Sequence, residues 1–476
     1  MQTVSSSYYS VVSLPWQRPV LLAEKIKSLG YMVWFDSTSD IQYADEEEKR
    51  YDIFTACPEM LIFAKKSYLN IVYPESGESK KIIRDPFEYI EECLQQPCNP
   101  PDAFPFCGGI AGYWGYELNH ITEPASVPER KNNCADMGVG LYLWSLVADN
   151  KNKQLSLIFH PNLIEEKRKR IAEIISYTVS AAHNCLQLKT RFIPQITYRE
   201  YEHAFSKIKQ YILAGDCYQV NLAQQFSAEY TGDLFLAYQH LRKVSPTPFS
   251  SYMDMGTLQI LSHSPERFLK TDRSKVQSMP IKGTCKRLRC RIKDRDSAEK
   301  LLSSEKNKAE NLMIVDLLRN DLNRNCEPNS VKVPELFKLK SYANVHHLVS
   351  TIEGCMKTDT TPIKLLKSAF PGGSVTGAPK IRAMQIIREL EPAARSVYCG
   401  AIGYISFNKK MDTNIPIRTL TGNNKKLSCW GGGAIVADSD CQQEYEESVI
   451  KIANLTSCLE NRYFYQSANK ASKYVY

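Results

Sequence analysis

The strongest constraint on the fold lies in the last quarter of the chain, where three β-like runs, residues 398–407, 414–420 and 427–436, follow one another with only short polar connections. Runs this close read as an antiparallel meander, since a parallel pair needs a crossover of a dozen or more residues. Asn423-Asn424 supplies one of the turns. Residues 443–459 then carry an apolar stripe, Val449, Ile450, Ile452, Leu455 and Leu459, on a helical period. Further helices are predicted over 163–185, 298–318, 363–368 and 379–390, and further strands over 31–35, 141–147 and 154–159. The stretch 186–197 has Pro194 and no periodicity, and reads as a linker. The expected organisation is an N-terminal region over residues 1–190, a second region over 198–465 and a polar, frayed tail over 466–476.

Composition removes several function classes. With 476 residues, 43% hydrophobic and 24% charged, the chain has the make-up of an ordinary globular protein. Its net charge is +8, and its densest basic run, Lys286-Arg287-Leu288-Arg289-Cys290-Arg291, is too short to track a phosphate backbone, so it reads as a solvated loop and nucleic acid is not expected as a partner. The 15 cysteines include no C-x-x-C pair, which argues against a zinc site or a disulfide frame. Arg18 is the first charged residue and no uncharged apolar run reaches the length of a membrane span, so neither leader nor membrane segment is expected. Free thiols then point to a cytoplasmic location.

Three signals carry chemistry. In Phe370-Pro371-Gly372-Gly373-Ser374-Val375-Thr376-Gly377-Ala378-Pro379-Lys380, glycines allow close backbone approach and Pro379 fits the first turn of a helix, so free N–H groups there suit an anion. A glycine-rich turn with no ligand has the same pattern. Ala378 stands where a Walker-type phosphate loop needs lysine, which disfavours a nucleotide. Glu444 and Glu447 share one helix face and Glu310 opens an apolar helical turn, so they read either as solvated charges or as oxygen ligands for Mg²⁺. Lys282, between β-like residues and Gly283, is either a surface lysine or, if burial lowers its pKa, a nucleophile. Glu266 is likewise an ion-pair partner in the open and a proton donor in a dry pocket.

Taken with Ala309-Glu310-Asn311-Leu312, Val345-His346-His347-Leu348, Arg418-Thr419-Leu420 and, more loosely, Gly108-Gly109-Ile110-Ala111-Gly112-Tyr113-Trp114-Gly115-Tyr116, these segments resemble the chorismate-utilising enzyme family. Within it the chain is most similar to the component I branch that aminates chorismate at C4. The resemblance implies an α+β fold of two large packed antiparallel β-sheets with helices outside and a cleft between them for Mg²⁺ and chorismate. It implies that Glu310, Glu444 and Glu447 hold Mg²⁺. Thr376, Tyr404, Arg418, Gly432 and Gly433 would hold substrate carboxylates, and His347 would be the active-site histidine.

Lys282 stands where the anthranilate-forming cousins usually carry alanine. Gln219 stands where water-adding members carry a lysine base. Both imply ammonia at C4, with Lys282 attacking C2 and Glu266 protonating the departing hydroxyl. The chain has no nucleophile elbow of its own, which implies a separate glutamine amidotransferase subunit as ammonia source. Ser37, Arg50, Tyr51, Pro248, Phe249 and Ser250 match positions that bind tryptophan in some relatives. Lys286 replaces a usual proline, and Pro416 interrupts the strand before Arg418.

Overall fold

The computed structural model describes residues 8–39, 48–130, 134–177, 185–342 and 344–465. The predicted tail over 466–476 lies outside them. Among these residues two large sheets form, one 13-stranded and one 12-stranded, and their strands pair antiparallel throughout. The first runs from Ser10–Leu14 through Gln154–Phe159, Trp144–Asp149, Tyr51–Thr55 and Val33–Asp36 to Phe249–Asp254, Leu258–Ser264, Thr419–Asn423, Lys426–Ile435 and Gln219–Thr231. The second runs from Ile281–Lys286 through Val345–Cys355, Lys275–Met279, Arg267–Asp272, Met411–Asn414 and Ala401–Ser406 to Gly109–Trp114, Met137–Tyr142 and Met60–Lys65. Early strands thus complete both sheets. One apolar cluster joins them, with Trp34 and Trp144 from the first and Trp114 from the second fully enclosed.

The predicted meander is real but divided between the sheets. Residues 414–420 are not one strand: Met411–Asn414 pairs with Ala401–Ser406 in one sheet, and Thr419–Asn423 pairs with Lys426–Ile435 in the other. Ile415-Pro416-Ile417-Arg418 crosses between them, and Arg418 sits at φ 51°. Pro416 has no N–H to give to a ladder, so a crossing is where it fits. A second crossing, Ser264-Pro265-Glu266-Arg267, lies against the first. Ser264 Oγ donates to Ile415 O at 2.6 Å, Ile415 N to Glu266 O at 3.1 Å and His263 N to Arg418 O at 3.1 Å. The hairpin turn is Asn424-Lys425, one residue later than predicted, with φ of 48° and 63°, as a tight two-residue hairpin requires.

Two helix predictions need correction. Residues 298–318 divide into Arg291–Ser303 and Glu305–Asn323, because Ser304 adopts an extended backbone and its side chain accepts from Asn307 N as an N-cap. The helix expected over 163–185 is Glu165–Ser176, and 178–184 fall outside the described residues. The stretch 186–197 also carries two short strands, Gln187–Leu188 and Ile193–Pro194, that add to Gln219–Thr231.

Gly377 is among the glycines demanded by close approach. Gly377 lies at φ 148°, and a Cβ there would come 2.1 Å from Gln219 O. Gly377→Ala is expected to cost about 3 kcal/mol through strain and overlap. The check is a lower denaturant midpoint at unchanged m-value.

Candidate active site

The two crossings form part of the wall of a cavity of about 1210 Å³ lined by strands of both sheets and by three helices. Lys282 enters it from Ile281–Lys286, whose register with Val345–Cys355 slips between Lys282 and Thr284, at Gly283. Its Nζ donates to Ser374 O at 3.1 Å. Burial lowers the pKa of this amine, opposed by Glu310 and Glu266. Glu266, delivered by the second crossing, is 3% exposed, and its Oε1 has no hydrogen-bond partner among the described residues. Burial pushes Glu266 up to about 7, against the pull of Ser374 and Lys282. An amine made easier to free and an acid able to keep its proton near neutrality face the same space.

Glu310 reaches the cavity from Glu305–Asn323, and Glu444 and Glu447 from Cys441–Tyr463. Glu444 accepts from Ser439 Oγ at 2.7 Å. Glu447 pairs with Lys451 at 2.7 Å, and Lys451 also donates to Gly432 O at 2.8 Å. A Cβ on Gly433 would stand 2.9 Å from Glu444 Oε2, so glycine leaves the carboxylate its room. The described residues contain no ready-made cluster of three or more metal ligands. An all-carboxylate wall of this kind still fits a hard cation that keeps water and completes its shell from an anionic ligand. Mg²⁺ suits that donor set.

His347 and Arg418 also line the cavity. His347 Nδ1 lies 2.8 Å from Thr284 Oγ1, while its Nε2 is enclosed without a partner among the described residues. Burial, reinforced by Arg418, pushes its pKa well below the usual range, so it is neutral. Burial lowers Arg418 to about 10, and the guanidinium keeps its charge at neutrality. Gln219 does not line the cavity. It lies two residues before Asn221, which does, on the same face of the strand, and both of its amide atoms are enclosed and unpartnered among the described residues.

Three expectations change. Thr376 is fully buried and its hydroxyl donates to Gly372 O at 3.2 Å and Gly373 O at 3.3 Å, so it braces the glycine loop instead of facing the cavity. The loop itself presents a carbonyl to Lys282, because Gly373–Val375 is a 3₁₀ turn that uses Val375 and Thr376 N–H internally. Pro379 is the N-cap of Lys380–Leu390, one position earlier than predicted.

Tyr404 belongs to a different cavity, and Tyr398 lines the first one instead. The strand begins only at Ala401, after Cys399 at φ 63°, so the alternation that would put both tyrosines on one face does not extend back to Tyr398. Tyr398 stacks on Trp430 with centroids 5.7 Å apart. Asn221, Trp430 and Lys451 also line the first cavity. None of them carries a sequence signal beyond a β or helical period.

The second cavity, about 410 Å³, gathers Ser37, Arg50, Tyr51, Pro248, Phe249 and Ser250, with Tyr404 across from them. Arg50 lies 4.7 Å over the Tyr51 ring and pairs with Asp149 at 3.0 Å.

Residues 41–457 match the family described as chorismate binding enzyme. Aminodeoxychorismate synthase component 1 of Escherichia coli K12 is 41% identical over 424 residues, covering 88% of this chain and 92% of that protein. Anthranilate synthase component 1 of Aquifex aeolicus is 32% identical over 471 residues, covering 95% and 94%. Among solved structures, anthranilate synthase component I from Streptococcus pneumoniae TIGR4 superposes with a TM-score of 0.75 at 32% identity, over 86% of this chain and 92% of that one. The match takes in the second sheet, all but two strands of the first and every wall of the larger cavity, and the chain belongs to the chorismate binding enzyme family.

Proposed function

We propose that the larger cavity aminates chorismate at C4, yielding 4-amino-4-deoxychorismate and water. The observation that carries this reading is Lys282 Nζ, 3.1 Å from Ser374 O with its pKa lowered by burial, sharing the cavity with a Glu266 carboxyl held near 7 whose Oε1 has no partner among the described residues. The free amine forms a bond to C2 as the ring double bonds shift and the C4–O bond breaks. Glu266 gives its proton to the departing hydroxyl, which leaves as water. Ammonia then bonds to C4, the double bonds shift back, the C2–N bond to Lys282 breaks to free the amine, and the new C4 ammonium loses a proton that returns Glu266 to its acid form. Mg²⁺, when bound by Glu310, Glu444 and Glu447, supplies positive charge for a substrate carboxylate. Arg418 offers a second carboxylate a bidentate fork, and neutral His347 can donate or accept without adding charge. Lys282 separates this reading from anthranilate formation, and the relatives named aminodeoxychorismate synthase component 1 support it.

Ammonia is expected from a separate glutamine amidotransferase. The purified chain with chorismate and Mg²⁺ is therefore expected to form product with ammonium but none with glutamine alone. Product from glutamine without a partner would contradict this division of labour. No helix among the described residues is long and apolar enough to cross a membrane.

For the second cavity we propose tryptophan, on the strength of the six residues that meet there and the Arg50–Tyr51 face beside them. Tryptophan at about a hundred times its dissociation constant is expected to add about 2.7 kcal/mol of stability. The measurement is a rise in the thermal midpoint that is lost in Ser250→Trp, and an unchanged midpoint at saturation would remove the ligand.

A further inference from the structure

The basic run that reads as a solvated loop forms part of the wall of the larger cavity. Lys286, Arg287, Leu288 and Arg289 all line it. Along Ile281–Lys286 the side chains of Lys282, Thr284 and Lys286 follow one another outward, from half-buried at Lys282 to exposed at Lys286. Lys306 reaches the same space from the first turn of Glu305–Asn323, one helical turn before Glu310. Seven Lys and Arg side chains line this cavity against four Glu, and burial pushes one of the four, Glu266, toward neutrality. The cavity is net positive despite carrying its metal-binding carboxylates.

The partners of these cations distinguish them. Arg287 is committed to Asp294, at 2.8 Å, and to Tyr342 O, at 3.1 Å. Lys451 is committed to Glu447, and Lys340 nearby to Glu48. Lys286, Arg289 and Lys306 make no ion pair and no side-chain hydrogen bond among the described residues, and all three are exposed, although the charge of Lys306 also acts on Glu444 and Glu447 across the cavity. Cations left unpaired at a cavity wall raise the local concentration of an anion, and a low-dielectric cleft focuses their field.

We propose that Lys286 and Arg289, faced by Lys306, form a capture rim that draws a small dicarboxylate into the cavity before it reaches Lys282 and the metal-binding carboxylates. The dicarboxylate is chorismate only if the proposed function holds, so the test separates the two. Because the rim acts through unpaired exposed charge, it changes affinity and its salt dependence without touching the chemical step.

The experiment compares the purified chain with the Lys286→Gln/Arg289→Gln double variant and with Lys306→Gln, at fixed ammonium and Mg²⁺ and increasing potassium chloride. At low ionic strength the double variant is expected to raise the KM for chorismate about ten-fold with kcat within about two-fold. The difference is expected to vanish by about 0.5 M salt, where the Debye length has shrunk to a few ångströms. Lys306→Gln is expected to add to the double variant in the same sense. Parallel salt curves for variant and parent, or a loss of kcat at unchanged KM, would overturn the rim. If the unsubstituted chain makes no product, the proposed function fails, and calorimetric titration of chorismate over the same salt series still decides the rim: a weaker, flatter salt response in the variant supports it, and identical curves reject it.

Discussion

Lys282→Ala is expected to lower C4 amination at least about a thousand-fold, because removing a covalent nucleophile removes the pathway and not only a contact. The residue is held for that role. Its Nζ has one protein acceptor, Ser374 O, and no ion pair among the described residues, so the amine keeps a lone pair once deprotonated. Burial lowers the cost of that deprotonation, while Glu310 and Glu266 limit how far the shift goes. The variant should still bind chorismate through Arg418 and the carboxylate side of the cavity. Unchanged amination by Lys282→Ala would refute the covalent role.

Glu266→Gln is expected to reduce kcat by about 10²- to 10⁴-fold with chorismate binding retained, the range for a lost general acid. The pH profile gives the sign. Glu266 is held up to about 7 by burial, so the acid form is present below that value and lost above it. The parent rate should fall on the alkaline side of about 7, and in Glu266→Gln that limb should disappear. Lys282 moves oppositely, since its free amine grows as pH rises, and the optimum lies where the two meet. Linkage adds a second readout. Because burial raises Glu266 from 4.5 to about 7, the folded chain loses stability as pH rises through that interval, and Glu266→Gln should be spared that loss. An alkaline limb that survives in Glu266→Gln would assign the acid to another group.

Much of this site was readable because its residues sit in short segments with distinctive chemistry. Lys282, Glu266, Glu310, Glu444, Glu447, His347 and Arg418 were all named from such segments, and all line one cavity. What was not readable depends on the path of the chain between sheets. The run 414–420 has the residues of a single strand, and nothing local announces that Asn414 pairs in one sheet and Thr419 in the other. Pro416 marks the break, but the place of Arg418 at a crossing, beside Glu266 at another, is a tertiary fact. Tyr404 came from the resemblance, and that Tyr398 lines the larger cavity in its place depends on the late start of the strand, which nothing local announces. Thr376 has the hydroxyl of a ligand donor, yet its own loop carbonyls are nearer. The basic run is exposed, as a solvated loop should be, but that it borders the cavity is not legible locally, because the cavity is assembled from both sheets and several helices.

The central claim is a position on a ring. Incubating the purified chain with chorismate, Mg²⁺ and ammonium, and identifying the product by mass and by its conversion to para-aminobenzoate with an added lyase, tests it most directly. The expected product is non-fluorescent, has the mass of chorismate in which one hydroxyl has become an amine, and is fully convertible to para-aminobenzoate. Fluorescent anthranilate, or isochorismate from water addition, would contradict it.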